Sequence, residues 1–500
     1  MIQGTGSHVG KTILVAGLCR VFARRGLKVA PFKAQNMALN SFVTRQGEEI
    51  GRATAVQAFA ARQEPLVHMN PVLLKPKSDI TSQLILHGHA VEDVTAKDYF
   101  VAAKLQARRT EAVRQSIAFL KERFDLIIAE GAGSCAEPNL RQPDIANMGA
   151  AHLLGAKVYI AADIDMGGVF AQLLGSMQIL ELVSPSDLPL VRGFLINKFR
   201  GDLEILKPAI DFLEQHTGRR VLGVLPYLHD LALEEEDRIR PRPGPRNDPR
   251  DGPADARDIR IGVVYLPHIS NANDFDFLAA EPGVDVHFLK SARDLEGLDA
   301  LILPGTKNTT GDLALMRQYG LAQAIEKLAG RTPILGVCGG YQMLGRMLND
   351  PQCLESEHGS MPGLGLLDFA VTFGPRKVLV QRTYEPAPGN PFAEAGRVTG
   401  YEIHAGVVGP HGLAPLYTHE GGTDGARHPN LPIWGAFIHD LFRNPRFTRA
   451  FVNELRRRQN LAPLQGPLAD PQARANQAMD RLADVLEAHA GDLIRDVAGA

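Results

Sequence analysis

Apolar positions along the chain follow two alternating rhythms. Short continuous runs rich in Val, Ile and Leu occur at 124–130 (FDLIIAE), 157–165 (KVYIAADID), 191–199 (VRGFLINKF) and 220–226 (RVLGVLP), and between them apolar residues recur with helical period. Strands apolar on both faces and separated by helices predict a parallel sheet with helices packed on each side. The pattern stops at 240–258 (RPRPGPRNDPRDGPADARD), where five prolines, two glycines and many charges leave almost nothing to bury, the signature of a linker. It restarts at 259–267 (IRIGVVYLP), 284–290 (VDVHFLK), 298–305 (LDALILPG) and 332–340 (TPILGVCGG), so a second α/β domain follows the first. From 444 onward the periodicity is helical and charged, as in 451–458 (FVNELRRR) and 475–490 (ANQAMDRLADVLEAHA), with no further strand apparent. The expected organisation is a first α/β domain at 1–239, the linker at 240–258, a second α/β domain at 259–443 and a peripheral helical tail at 444–500.

Composition narrows the function classes. Five hundred residues, 45% of them hydrophobic, suffice for two or more cores and exclude a disordered or fibrous chain. Lys and Arg total 54 against 56 Asp and Glu, a formal net charge of -2, so charge offers no reason to expect a nucleic-acid or anionic-membrane partner. Cys19, Cys135, Cys338 and Cys353 are too few and too scattered for a disulfide framework or a CxxC metal site, and they fit a reducing cytoplasm. No apolar run reaches the ~18 residues of a membrane span, and the opening MIQGTGSHVGKT shows no cleavable signal pattern. The expectation is a cytoplasmic protein that acts on small molecules.

The segment 4–12 (GTGSHVGKT) opens a helical pattern in which Ile13, Leu14, Val15, Leu18, Val21 and Phe22 recur, and Gly26 supplies its stop. Gly4, Gly6 and Gly10 let backbone N–H groups curl around phosphate, Lys11 reaches the terminal phosphates and the Thr12 hydroxyl ligates Mg²⁺. The predicted ligand is ATP. Five residues separate Gly4 from Gly10, one more than the standard P-loop has. A Mg·ATP site also needs an acidic strand end, and Glu130 in 129–134 (AEGAGS) supplies it. Lys33, at the tip of the second strand in APFKAQN, is a candidate to neutralise phosphate charge during transfer. Asp163 and Asp165 end another strand, and the sequence leaves open whether they face metal, substrate or a neighbouring helix.

In 334–342 (ILGVCGGYQ) a buried strand runs into G-x-C-G-G and then a helical pattern, which places Cys338 at a nucleophile elbow. The glycines relieve crowding at the sharp turn, and a helix N-terminus favours the thiolate, the attacking species. A cysteine nucleophile needs a base. His439, at the end of the apolar run WGAFIH, and His404, in GYEIHAG, compete for that place. Gly305 and Thr306, after ALILP, stand where backbone N–H groups form an oxyanion hole.

Together these pieces resemble the glutamine-dependent adenosylcobyric acid synthase family of cobalamin biosynthesis, over residues 1 to about 443. The likeness rests on long strings as well as on the two motifs: APFKAQNMALNSFVT (30–44), GEEIGRA (47–53), MNPVLLKP (69–76), AEGAGS, ADIDMGGVFA (162–171), LINKFRGD (195–202), LPGTKNT (303–309), GVCGGYQMLG (336–345) and GYEIHAG (400–406). The first domain is similar to dethiobiotin synthetase, whose P-loop carries the same extra residue, and the second resembles class I glutamine amidotransferases. The resemblance implies that Cys338 is the glutaminase nucleophile and His439 its base. It also implies a reaction: amidation of the b, d, e and g carboxylates of adenosylcobyrinic acid a,c-diamide, with glutamine, ATP and the corrinoid as small-molecule substrates and Mg²⁺ as cofactor. A protected path for ammonia between the domains is expected.

The sequence departs from family patterns at three points. Leu441 stands where a full class I triad carries Glu, Met166 where ADIDRGG is usual, and His8 where Asp is commoner in the P-loop. The nearest alternative activity is the related cobyrinic acid a,c-diamide synthase, against which the KAQNMALNS and GYEIHAG strings argue. A partitioning-type P-loop ATPase switch is a rival of another class, but the second lysine typical of such loops is absent between Gly4 and Lys11.

Overall fold

The computed structural model describes residues 1–78, 80–228, 258–468 and 470–499; the expected linker, apart from Asp258, lies outside the described residues. In the N-terminal part a parallel layer runs in the order Val29–Phe32, Leu126–Ala129, Ile2–Gly4, Val158–Asp163, Val191–Phe199 and Arg220–Pro226, with a bridge from Ile2 to Glu130 joining its two portions. Val158–Asp163 is buried at every position, as a strand covered on both faces must be. The apolar runs read from sequence therefore fall on the strands they predict. A second sheet of Gln35–Met37, Val72–Pro76, Thr81–Leu86 and His89–Thr95, and a hairpin of Ser41–Val43 and Glu49–Gly51, were not evident from periodicity. Several of these strands have only three residues, too few to display a period of two.

The second parallel layer is ordered Val284–Leu289, Ile259–Val264, Ala300–Leu303, Ile334–Val337 and Ile433–Ala436, closed by the antiparallel Ala426–Arg427. Beside it the long strands Ala370–Pro386 and Val398–Val408 pair antiparallel.

The C-terminal helices are not peripheral, which corrects the expectation from sequence. Phe447, Phe451, Val452 and Leu455 on the helix Pro445–Arg458 belong to the core of the second layer. The helices Pro471–His489 and Gly491–Ala498 return to the first layer, where Leu482, Leu486, Leu493 and Ile494 are buried with Leu14, Leu18 and Val21 of the helix Lys11–Arg24. A Cβ at Gly17 would stand 2.3 Å from Leu486, so glycine there sets how closely the two helices approach. The helical period was legible, but its apolar stripe does not say which distant surface it covers.

The hairpin bearing Ser41 docks on the second domain. Phe42, Val43 and Ile50 form a small core with Tyr401, and the Tyr401 hydroxyl donates to the Ser41 carbonyl at 3.1 Å. The Ser41 amide donates to Asn271 at 2.8 Å, and the Asn271 amide donates to Asn40 at 2.7 Å.

Candidate active sites

At the C-terminal edge of the second layer Leu303 is level with Gly336, and Val337 with Ala436, so the loops leaving three adjacent strands converge. Such an edge is where open α/β sheets hold ligands. Cys338 is the first residue after its strand and adopts φ 48 and ψ -108 as it enters the helix Gly339–Leu344. Positive φ at a non-glycine residue is costly and persists only where the surroundings over-determine it. Here they do. A Cβ on Gly340 would lie 2.0 Å from the Leu303 carbonyl oxygen, and one on Gly336 would lie 2.7 Å from the Tyr341 nitrogen. The two glycines thus permit the tight turn that presents the thiol.

His439, 1% exposed, follows the strand Ile433–Ala436 on the neighbouring side. Its Nδ1 lies 2.7 Å from Asp274 Oδ2, and His439 lines one cavity with Cys338, whose sulfur acts on its charge. Burial alone lowers the proton affinity of His439, but the Cys338 sulfur and the Asp274 carboxylate outweigh it and raise the pKa to about 10. The cluster therefore favours a protonated imidazole beside the Cys338 sulfur.

His404, the competing base, lines the same cavity as Cys338 but has both ring nitrogens engaged. Its Nε2 is 3.0 Å from Glu402, its Nδ1 is 2.8 Å from the Gly406 carbonyl, and its ring stacks on Phe437. Gly305 and Thr306 adjoin both members of the pair: a Cβ on Gly305 would stand 2.8 Å from His439 Cε1, and one on Gly339 would stand 3.0 Å from the Thr306 amide nitrogen.

Asp274 was missed by the sequence reading. It sits on the short helix Ala272–Phe275, 165 positions before His439, and its only signal was a place shortly after the strand Ile259–Val264. Leu441, at the position where fuller triads carry Glu, is 2% exposed and packs in the core. The carboxylate bonded to the imidazole comes from another loop. Asp274→Asn is expected to lower the turnover of glutamine hydrolysis on the order of 10²- to 10⁴-fold, because the amide no longer selects the productive histidine tautomer. Removing the negative charge also lowers the His439 pKa, so the pH profile of hydrolysis should move to lower pH; a variant with wild-type turnover and profile would refute the orienting role.

In the first domain the loop after Ile2–Gly4 is stitched to the strand Val191–Phe199. Asn197 donates to the Val9 carbonyl at 2.8 Å and Lys198 donates to that of His8 at 2.8 Å. His8 takes φ 62 and Gly10 φ 96, and these left-handed residues absorb the extra position of the loop. Lys11 Nζ donates to the carbonyls of Gly6 and Gly133 at 2.8 and 2.9 Å. A Cβ on Gly6 would meet nothing within 4 Å, so the loop opens onto free space there.

Thr12 donates to Glu130 Oε1 at 2.9 Å, Lys33 Nζ lies 3.2 Å from the same oxygen, and Gln57 donates to Oε2 at 2.5 Å. A hydroxyl beside a carboxylate is a set of hard oxygen donors, which suits Mg²⁺ that keeps most of its ligands from water and phosphate. Lys33 is 2% exposed and paired with Glu130, and Gln57 is a contact the sequence reading did not foresee. Asp163 is bound to Lys198 at 2.6 Å and Asp165 lies 3.5 Å from Arg200. Met166 is 82% exposed. Among the described residues no group of three or more His, Cys, Asp or Glu is arranged to hold a metal, and no helix is long and apolar enough to cross a membrane.

A phosphate loop on one parallel sheet and a cysteine, histidine and aspartate on another are the two halves of a nucleotide-binding glutamine amidotransferase. Residues 1–240 match the CobQ/CobB/MinD/ParA nucleotide binding domain, and residues 260–447 match the CobB/CobQ-like glutamine amidotransferase domain. The cobyric acid synthase of Pelotomaculum thermopropionicum is 44% identical, covering 98% of this chain and 94% of its own length. That of Klebsiella pneumoniae is also 44% identical, over 98% and 96%, and a probable cobyric acid synthase of Methanothermobacter thermautotrophicus is 43% identical, over 97% and 96%. The chain belongs to the cobyric acid synthase family and is a glutamine-dependent amidoligase.

Proposed function

We propose that this protein converts adenosylcobyrinic acid a,c-diamide to adenosylcobyric acid by amidating its b, d, e and g carboxylates, consuming one glutamine and one ATP at each. The observation that carries the reading is that each half-reaction has a built site in one chain, Cys338 with His439 and Asp274 for ammonia release and Lys11 with Thr12 and Glu130 for nucleotide. The corrinoid follows from the name of the relatives, with which nearly the whole chain aligns.

The Cys338 thiolate attacks the amide carbon of glutamine, and the Gly305 and Thr306 amides are placed for the oxyanion. His439, with its Nδ1 held by Asp274, presents Nε2 to donate the proton that lets ammonia depart. Water then hydrolyses the thioester and glutamate leaves. Cys338 faces a cavity of about 40 Å³ walled from both domains, by Lys75 of the first and by Lys307, Lys377 and Glu355 of the second. A cavity of that size is large enough for ammonia.

A carboxylate is a poor electrophile, so the first domain activates it by transferring the γ-phosphoryl group of ATP to one carboxylate oxygen, and ammonia displaces phosphate from the acyl phosphate. Lys11 and the loop amides hold the phosphates in line for transfer, and Lys33 adds positive charge beside Glu130. Mg²⁺ held by Thr12 and Glu130 would supply further neutralisation of phosphate charge. Mass spectrometry of adenosylcobyrinic acid a,c-diamide incubated with enzyme, glutamine and Mg·ATP tests the reading. Four successive replacements of OH by NH₂ are expected, and an unchanged corrinoid in the presence of active glutamine hydrolysis would overturn the substrate while leaving the amidoligase.

A further inference from the structure

The glutaminase cluster does not end within its own domain. Asp440, the residue after His439, is buried with φ 60 and is gripped by Arg52 of the first domain, whose two guanidinium nitrogens lie 3.1 Å from its two carboxylate oxygens. Arg52 opens the helix Arg52–Ala60, is 3% exposed, and its amide donates to the Asn40 carbonyl at 3.1 Å on the hairpin that docks the domains. Its guanidinium also lies over the Phe42 ring at 5.5 Å. A forked pair of this kind is directional and cannot be formed by a point charge.

Asp440 also lies close enough to Asp274, the carboxylate bonded to His439, for the two buried acids to act on one another electrostatically. Two buried carboxylates that close repel, and they shed the repulsion by binding a proton unless a cation compensates them. The groups facing the pair are Arg52 from the first domain, Arg443 at 3.9 Å from Asp440, and His439 with Cys338 beyond it. Asn271 and the Tyr401 ring complete the surroundings of His439 without adding charge. Arg52 makes the close forked contact. Burial pushes Asp274 above the ordinary carboxylate range, while at Asp440 the Arg52 guanidinium outweighs burial and holds the carboxyl below it; without Arg52 the pair binds a proton more readily and Asp274 loses part of its hold on His439.

We propose that Arg52 is a positioning residue for the glutaminase of the other domain, acting through Asp440 and Asp274 on His439. Glutamine hydrolysis is then competent only while the synthetase domain is docked with its Arg52 helix in place, which ties ammonia release to the domain that consumes it. The inference rests on the reading of Cys338 and His439 as the glutaminase pair.

The test uses the full chain and measures kcat and KM for glutamine hydrolysis across pH for Arg52→Ala, Arg52→Lys, Asp440→Asn and the Arg52→Ala/Asp440→Asn double variant. Gln381→Ala, which removes an interdomain bond to the Val43 carbonyl without touching the relay, is the control for docking alone. The expected result for Arg52→Ala is a fall in kcat of about 10- to 100-fold with KM little changed and the pH profile moved to lower pH, since the support is lost through an intermediary and not at the reacting atoms. Arg52→Lys should recover only part of the loss, and the double variant should be no worse than the poorer single, because the two residues act in series. Ammonia-driven amidation should persist in Arg52→Ala, which shows that the chain is folded. Losses equal to those of Gln381→Ala, strictly additive losses, or an unshifted pH profile overturn the inference. A wild-type chain that fails to hydrolyse glutamine overturns instead the glutaminase reading on which it rests.

Discussion

Cys338→Ala is expected to abolish glutamine-driven amidation by at least about 10⁴-fold while leaving amidation driven by ammonium salts close to the wild-type rate. In the proposed mechanism the Cys338 sulfur is the group that bonds to the amide carbon, and neither His439 nor Asp274 substitutes for it. The second site lies on another sheet, so on the proposed division of labour its chemistry needs only ammonia, whatever the source. The substitution removes a single sulfur from a residue held at positive φ by its neighbours, and alanine fits the same space. Measurement of corrinoid amidation with each nitrogen donor checks this directly. Equal loss with glutamine and with ammonia would mean that Cys338 serves the synthetase reaction or the fold, and the division of labour would have to be abandoned.

Lys11→Ala is expected to give the complementary result: amidation from either donor falls by about 10²- to 10³-fold or more, while Cys338 still hydrolyses glutamine. Lys11 is 7% exposed and anchored by the Gly6 and Gly133 carbonyls, so its ammonium is fixed at the mouth of the loop before any phosphate arrives. A preorganised cation of this kind loses little on binding, and its removal leaves developing phosphoryl charge uncompensated. Nucleotide binding measured by calorimetry should weaken in parallel, and a far-ultraviolet melt matched to wild type distinguishes a lost charge from a collapsed loop. Retention of ATP-dependent amidation would place the phosphates elsewhere.

Much of the fold was legible before any coordinates. The strands at Val158–Asp163, Val191–Phe199 and Arg220–Pro226 lie where continuous apolar runs predicted them, because a strand buried on both faces has no freedom to be polar on either. The P-loop and the elbow were legible for a related reason, since their chemistry is local: Gly10 and Lys11 are adjacent in sequence, as are Cys338 and Gly339. The hairpin Ser41–Gly51 and the inner packing of the tail were not, because three-residue strands and an amphipathic stripe do not name their partners.

The sequence by itself determined that there are two parallel α/β domains, that one carries a phosphate loop with Lys11, Thr12 and Glu130 as candidates, and that the other presents Cys338 at a turn with His439 or His404 to serve it. Tertiary structure pairs His404 with Glu402 and brings His439 to Asp274 beside Cys338, which favours His439 as the base. It also supplied Asp274 from 165 positions away and Arg52 from the other domain. The physical reason is that a nucleophile elbow or a phosphate loop is specified by short-range backbone geometry, whereas the orientation and charge of a buried imidazole depend on carboxylates and cations within a few ångströms in space, and only the folded packing of distant segments sets those distances.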